Sequence, residues 1–274
     1  MNKIDFSYAS KIEHNLAQRL IIKIIENFTG KKTLEKVYKK FSKDTYEPRY
    51  FWSGILEAMD IKIVNKSKEK LNIPSEGPLI IIANHPFGII DGLILCSLAS
   101  KVRSDFKILT HETLKLLPEL DQFILPIEFN EKNKETIKHN IATAKKAKQH
   151  ILDRGLIIVF PSGGVTIAEN HKLAKSTDEW KLFTAKLIQQ TKANILPIYF
   201  DGKNGLLFNL FASKFKNQTL KYSTYIHETK KKIGKDIIIY SGETLKYNDL
   251  SHMRDRKELT NYLKETTYQL KNSD

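Results

Sequence analysis

Residues 77–100 read GPLIIIANHPFGIIDGLILCSLAS, and this stretch decides how the chain is interpreted. Five consecutive apolar residues, 79–83, end in Asn84-His85-Pro86, and a second apolar run follows Asp91-Gly92. Because polar residues and a proline interrupt the run, and an ionised carboxylate is costly in lipid, we do not expect this stretch to span a membrane. It predicts instead a buried strand, a polar loop, and a helix whose first turn carries Asp91.

From residue 60 onward, short apolar runs alternate with longer periodic segments. This alternation is typical of an α/β domain with a mixed, largely parallel central sheet flanked by helices. The predicted strands cover residues 61–64, 79–83, 106–109, 123–129, 156–160, 195–200 and 236–240. The predicted helices cover residues 89–100, 134–152, 178–190, 206–215 and 256–270, and the segment 219–232 is ambiguous.

A small N-terminal helical region precedes this domain, at residues 1–60, and the α/β domain covers residues 61–274. Apolar residues spaced three and four apart predict an amphipathic helix over 12–28. The aromatic segment 49–59 packs onto the main domain or lies at a membrane interface; core packing is the interpretation that we favour.

The composition limits the class of protein and its partners. The chain has 274 residues, of which 41% are hydrophobic and 28% charged, as in folded globular proteins. A formal net charge of +14 favours an anionic partner, although a lysine-rich solvated surface explains it equally well. The single cysteine, Cys96, excludes an internal disulfide and fits the cytoplasm, and the first residues lack a signal-peptide pattern. Neither a metal-ligand spacing nor a nucleotide-binding glycine motif is present, so we predict no metal and no nucleotide cofactor.

The loop after the strand predicted at 79–83 carries a histidine and an aspartate that can act together. Gly88 permits a left-handed backbone, so the loop can bring the Asp91 carboxylate to a ring nitrogen of His85. That contact would fix the histidine tautomer and leave the other nitrogen free to accept a proton from a hydroxyl or a thiol. The alternative is that Asp91 only caps the following helix and His85 only hydrogen-bonds within the loop.

A second loop follows the strand predicted at 156–160 and reads PSGGVTIAEN, residues 161–170. Consecutive glycines after a strand let backbone N–H groups converge on the oxygen of a phosphate or of an oxyanion. An ordinary glycine-rich turn is the alternative. Ser162 as the nucleophile of a lipid esterase is a further alternative, but Phe160 stands where a nucleophile elbow needs glycine, and the chain order His, Asp, Ser is not that of α/β-hydrolases.

The two loops resemble blocks of a known superfamily. Asn84-His85-Pro86 with Gly88 and Asp91-Gly92 resembles the NHPxGxxDG signature of the hemolysin-like branch of the lysophospholipid/glycerolipid acyltransferase superfamily, also called PlsC-like. The segment 160–166 resembles its FPEGTRS block, with serine and glycine in place of the glutamate and threonine. The resemblance implies that His85 is the general base and Asp91 its partner. It also implies a set of substrate-binding or oxyanion-binding positions: Asn84, Gly88, Phe160, Pro161, Ser162, Gly163 and Gly164.

Basic residues near the predicted site depart from the superfamily pattern. Lys107 and Lys203 are candidates for contacting a phosphate or CoA group. The arginine that usually follows the second block is absent, and Glu128 and Asn130 stand where another arginine is common. These departures put recognition of an acceptor phosphate in doubt.

The resemblance implies an O-acyltransferase of phospholipid or related lipid metabolism, similar to 1-acylglycerol-3-phosphate acyltransferases. It would move an acyl group from acyl-CoA or acyl carrier protein to a hydroxyl of a lysophospholipid or related lipid, by His–Asp general-base catalysis and without a cofactor beyond the thioester. Its partners would be the thioester donor, the lipid acceptor and an anionic membrane surface on the cytoplasmic side, and we expect no nucleic acid. A catalytically weak peripheral lipid-binding protein on the same scaffold is the alternative from another class.

Overall fold

The computed structural model describes residues 50–111, 118–128, 133–166, 179–205 and 227–272. Within these residues seven strands form one sheet: β1 Lys62–Asn65, β2 Leu79–Ala83, β3 Phe106–His111, β4 Ile124–Ile127, β5 Leu156–Val159, β6 Asn194–Asp201 and β7 Asp236–Ser241. The helices are α1 Phe51–Ala58, α2 Ile89–Ser100, α3 Lys134–Leu152, α4 Phe183–Thr191, α5 Tyr247–Leu250 and α6 Arg256–Gln269, with 3-10 turns at Pro118–Phe123 and Leu270–Asn272. The helices predicted at 12–28 and 206–215 lie outside the described residues.

The strand order is β1-β7-β6-β2-β5-β3-β4. Strand β2 lies in the middle and pairs in parallel with both β5 and β6. The pairing of β6 with β7 is antiparallel, and the other described strand pairs are parallel. The predicted fold class, a mixed and largely parallel sheet flanked by helices, is therefore confirmed.

Helices cover both faces of the sheet, which explains why all five residues of β2 are buried. One face packs against α1 and α2, and the other packs against α3, α4 and α6. In α1 the side chain of Trp52 is buried and meets the rings of Phe106 and Phe123 edge-on. The prediction that the segment 49–59 packs in the core is thus confirmed over α1, and this helix shares the hydrophobic core of the sheet.

The parallel strands β2, β5 and β6 end at the same edge of the sheet. Loops at this edge commonly carry the functional residues of α/β proteins. Residues 84–88, 160–166 and 202–205 follow these three strands and so lie close together. The stretch 77–100 consists of strand β2, a loop and helix α2, as predicted. Among the described helices, none is long and apolar enough to cross a membrane.

Candidate active site

His85 and Asp91 are in direct contact at the edge where β2 ends. His85 Nδ1 lies 3.0 Å from Asp91 Oδ2. An ionised carboxylate only accepts hydrogen bonds, so Nδ1 carries the proton in this pair and Nε2 holds the free lone pair. The His85 side chain is 16% exposed and that of Asp91 is fully buried. The arrangement is a base with a buried orienting partner, which is the geometry that proton abstraction from a substrate requires.

Asp91 is held by the start of helix α2. The same oxygen, Oδ2, accepts hydrogen bonds from the backbone N–H groups of Phe87 at 2.8 Å and Gly88 at 3.0 Å. Gly88 is the N-cap residue and has φ +68°, a conformation that glycine adopts without strain. Asp91 therefore caps the helix and contacts His85 through the same oxygen, so the helix-capping role and the catalytic role predicted for it are compatible.

Burial determines the acidity of Asp91. Removal from water raises the pKa of its carboxyl, and the hydrogen bond and charge of His85, followed by the Phe87 and Gly88 N–H groups, oppose that rise. Its second oxygen, Oδ1, is buried and has no hydrogen-bond partner among the described residues. The described hydrogen bonds to this carboxylate therefore all reach it through Oδ2.

The second loop closes over the first. The Phe160 ring stacks on the His85 imidazole, with ring centroids 3.9 Å apart and an interplanar angle of 17°. The Thr166 N–H donates a hydrogen bond of 2.8 Å to the His85 carbonyl oxygen. Phe160 thus restricts the rotation of the histidine ring, and the structure brings the two predicted loops together around His85.

The glycine turn at 160–164 is bonded mainly within itself. The Gly163 N–H closes the turn on the Phe160 carbonyl oxygen, and Gly163 has φ +68°. Ser162 Oγ donates to the Gly164 carbonyl oxygen at 2.8 Å. The Pro161 carbonyl oxygen accepts a hydrogen bond from the Lys181 N–H. No described hydrogen bond joins Ser162 to His85, so the hydroxyl–imidazole pairing of a serine esterase is not formed among these residues.

Asn84 links two strands. Its Nδ2 donates to the Phe200 carbonyl oxygen at 2.9 Å, and its Oδ1 accepts from the Phe200 N–H at 2.7 Å. The side chain is buried, and both of its polar groups bond the backbone of β6. In this structure Asn84 therefore fixes the end of β2, and with it His85, against the neighbouring strand.

The two predicted lysines lie in different places. Lys107 pairs in register with Ile157, which pairs with Ile80. Lys107 thus stands level with a residue five positions before His85, and its Nζ donates to the Gln122 carbonyl oxygen at 2.5 Å. The structure does not bring Lys107 to the site, because the strand register holds it near the starting ends of the strands, away from the edge where His85 lies. Lys203 is exposed in the loop after β6, at the same edge as His85.

Sequence reasoning missed three residues at this edge. Phe87 is buried against the backbone of Gly202, where an added Cβ would lie 2.2 Å from Phe87 Cζ. The Lys232 ammonium lies 4.0 Å from the centroid of the Phe87 ring. Lys181 packs over the glycine turn, with its Cε 3.0 Å from the position of a Cβ on Gly163. Phe87 occupies a variable position of the NHPxGxxDG pattern, and Lys232 falls in the segment 219–232, whose secondary structure is ambiguous from sequence. Neither residue could therefore be recognised from the sequence as part of the site.

A metal site is not apparent in the part of the chain that the structure describes. No group of three or more His, Cys, Asp or Glu side chains lies together there. The site built from described residues consists of the His85–Asp91 pair, the stacked Phe160, the glycine turn, and the cations Lys181 and Lys232.

Comparison with known proteins places this geometry in context. Two curated proteins named lyso-glycine lipid O-acyltransferase are similar to the chain: one from Phocaeicola vulgatus is 22% identical over 225 residues, and one from Bacteroides thetaiotaomicron is 24% identical over 226 residues. Each alignment covers 80% of this chain, with 77% of the first relative and 79% of the second. The crystal structure of the 1-acyl-sn-glycerophosphate acyltransferase PlsC from Thermotoga maritima has a similar fold, with a TM-score of 0.50 and 13% sequence identity over 92% of this chain and 95% of that one.

A family profile described as Acyltransferase matches residues 17–274. This match includes both loops of the candidate site and confirms the superfamily that their residues predict, while assignment to the hemolysin-like branch stays a prediction. Because the profile spans most of its length, the chain belongs to the acyltransferase family.

Proposed function

We propose that this protein is an O-acyltransferase that esterifies a hydroxyl of a lipid acceptor with an acyl group from acyl-CoA or acyl carrier protein. The observation that carries the proposal is the contact of 3.0 Å between His85 Nδ1 and Asp91 Oδ2, at the strand edge of an acyltransferase family member. It leaves Nε2 of a partly exposed histidine as a base with a fixed tautomer.

In the proposed reaction, His85 Nε2 takes the proton of the acceptor hydroxyl as its oxygen attacks the thioester carbonyl carbon. A C–O bond forms, and the resulting tetrahedral intermediate collapses with cleavage of the C–S bond. The thiolate then takes the proton from His85 and leaves as the thiol. Asp91 stabilises the imidazolium ion that exists between these two proton transfers, as a buried carboxylate does in other acyl-transfer sites.

The glycine turn is the proposed location of the oxyanion donors. Gly163 uses its N–H within the turn, so we assign the role to the Gly164 N–H. An added Cβ at Gly164 would meet no atom of the described residues within 4 Å, and this part of the chain leaves space for a substrate beside it. A backbone donor aimed at the developing charge is worth on the order of 10²-fold or more in rate.

We propose an acceptor with a carboxylate headgroup rather than a phosphate. The acidic Glu128 stands where a phosphate-binding arginine was expected, and its Oε2 accepts a hydrogen bond of 2.8 Å from Thr136 at the start of α3. The two curated relatives are named for a lyso-glycine lipid. A glycine headgroup with a free carboxylate presents one anionic group, which a lysine can bind without a bidentate arginine.

The proposed substrate also implies contact with a membrane. A lipid acceptor lies in a bilayer, and a chain with a net charge of +14 is attracted to an anionic leaflet. We therefore propose peripheral association with an anionic membrane. Salt-dependent binding to phosphatidylglycerol vesicles, absent with phosphatidylcholine vesicles, is the expected result.

An acyl-transfer assay tests the proposal. The purified protein is incubated with palmitoyl-CoA or palmitoyl-acyl carrier protein and with either a lyso-glycine lipid or lysophosphatidic acid; thiol release and the mass of the lipid product are both followed. We expect thiol release coupled to acylation of the lyso-glycine lipid, and little product with lysophosphatidic acid. Preferential acylation of lysophosphatidic acid would overturn the carboxylate assignment, and thiol release without an acylated lipid would show a thioesterase instead.

A further inference from the structure

Lys232 lies beside the catalytic loop, in a turn that no sequence motif identifies. It follows a short helical stretch at 227–231 and is partly buried. The buried side chain of Glu228 holds this stretch to the loop after β6, because its Oε2 accepts the Gly205 N–H at 3.0 Å and its Oε1 pairs with Lys231 at 2.8 Å. The stretch that precedes Lys232 is therefore held to the loop after β6 by a buried side chain, and the Lys232 N–H donates to the Thr229 carbonyl oxygen at 3.1 Å.

The Lys232 ammonium reaches the loop between His85 and Asp91. It lies 4.0 Å from the centroid of the Phe87 ring, a distance typical of a cation–π contact. The ring is wedged against the backbone of Gly202, and the Phe87 N–H donates to Asp91 Oδ2 at 2.8 Å. The cation thus contacts the residue whose backbone holds the catalytic carboxylate.

The charges around Asp91 make this cation significant. Besides the Phe87 and Gly88 N–H groups, His85 bonds the carboxylate at Oδ2. The negative charge of Asp91 in turn acts on the Lys232 ammonium and raises the pKa of that lysine, against the lowering caused by burial. Lys232 is also close to Glu228 and Lys231, while Asp201 at the end of β6 is engaged by Lys271 at 2.7 Å. Since Asp91 Oδ1 has no described hydrogen-bond partner, a nearby positive charge is the compensation that a buried carboxylate needs.

We infer that Lys232 is a positioning residue of the acyltransferase site: its charge keeps Asp91 ionised, and its contact with the Phe87 ring holds the loop in which Asp91 orients His85. Among the described contacts none joins Lys232 to His85, so we assign its effect to Asp91. The effect of Lys232 on kcat rests on the proposed function, whereas its effect on the ionisation of Asp91 does not.

The electrostatic consequence is measurable without substrate. Protein labelled with ¹³C at the aspartate carboxyl carbon is titrated by NMR, and the Asp91 signal is assigned from its absence in Asp91→Asn. In Lys232→Met we expect the midpoint of the Asp91 signal to rise by about one pH unit. Lys230→Met removes the same charge from an exposed position on the same turn, and it should leave the midpoint unchanged.

The kinetic consequence separates positioning from substrate binding. In Lys232→Met, Asp91 is less ionised at low pH and supports the His85 imidazolium less, so kcat at low pH should fall about tenfold while KM stays within about twofold. Lys232→Arg keeps the cation over the ring and should restore most of kcat.

The inference is overturned if the Asp91 signal titrates at the same pH in Lys232→Met and wild type, or if KM rises while kcat is unchanged. If Lys232→Met does not fold, Lys232→Gln and Lys232→Arg give the same comparison. Absence of acyl transfer by the wild-type protein would count against the proposed function, whereas the NMR titration would still decide the role of Lys232.

Discussion

Replacing Asp91 with asparagine should separate the chemistry of the loop from its stability. Asparagine keeps the size of the side chain and one carbonyl oxygen, which can still accept the Phe87 and Gly88 N–H groups that now bond Oδ2 at 2.8 and 3.0 Å. It removes the negative charge that faces His85. The loop should therefore keep its conformation while the base loses its partner.

The expected loss of rate follows from the hydrogen bond that changes. A hydrogen bond to a charged group is worth about 1.5–3 kcal/mol and a neutral one about 0.5–1.5 kcal/mol, so the imidazolium loses about 1.5 kcal/mol, or about tenfold in kcat. If the amide nitrogen turns toward Nδ1, the histidine takes the other tautomer, and the loss rises toward about 10⁴-fold. We expect kcat to fall at least about tenfold.

Stability should respond differently. Burial raises the pKa of Asp91 from its usual 3.8, so the folded state binds this proton more tightly than the unfolded state. The carboxyl then destabilises the fold progressively as pH rises from about 3.8 through the raised pKa, and the full cost is present above it. Asp91→Asn should be at least as stable as wild type at pH 8.

Steady-state acyl transfer and urea unfolding at pH 5 and pH 8 test both expectations. A kcat for Asp91→Asn within about threefold of wild type would contradict the role of the Asp91 charge in supporting His85. A loss of more than about 2 kcal/mol of unfolding free energy at pH 8 would contradict the expectation that the buried charge destabilises the fold.

Three further changes test the frame around the site. Asn84→Ala removes two buried hydrogen bonds and leaves the Phe200 N–H and carbonyl unpaired; urea unfolding should show a loss of about 2–4 kcal/mol, and a loss below about 0.5 kcal/mol would contradict the strand link. Gly202 has φ +150°, and Gly202→Ala places a Cβ 2.2 Å from Phe87 Cζ. We expect about 1–3 kcal/mol of destabilisation and a reduced kcat, whereas wild-type stability and kcat would show that the Phe87 ring moves freely. Burial lowers the pKa of His150 from 6.5, so the unfolded state binds the proton more readily and stability is lost as pH falls below about 6.5. The melting temperature should therefore differ less between pH 5.5 and pH 7.5 in His150→Asn than in wild type. An equal difference in the two proteins would exclude His150 as the cause.

Much of the fold could be predicted because its strands are short apolar runs between periodic helices. Helices α2 and α3 occupy the predicted residues, and each of the seven predicted strands overlaps an observed one. The antiparallel pairing of β6 with β7 was not predicted, because apolar periodicity does not determine which way a strand runs relative to its neighbour.

The site could be predicted where its residues are close in sequence, and less well where they meet through the sheet. Gly88 and the short spacing indicated the His85–Asp91 contact, whereas the bonds of Asn84 to Phe200 depend on strand order. Lys107 was expected at the site from its strand alone, and its register places it elsewhere. Lys232 was missed because a cation in an irregular turn has no pattern of its own.

The measurement that tests the central claim most directly is acyl transfer by His85→Ala beside wild type, with equal unfolding midpoints as the control for folding. We predict that wild type forms an acylated lipid and releases the thiol in equal amounts, and that His85→Ala is slower by about 10²–10⁴-fold. A His85→Ala protein that transfers the acyl group at the wild-type rate would contradict general-base catalysis by His85.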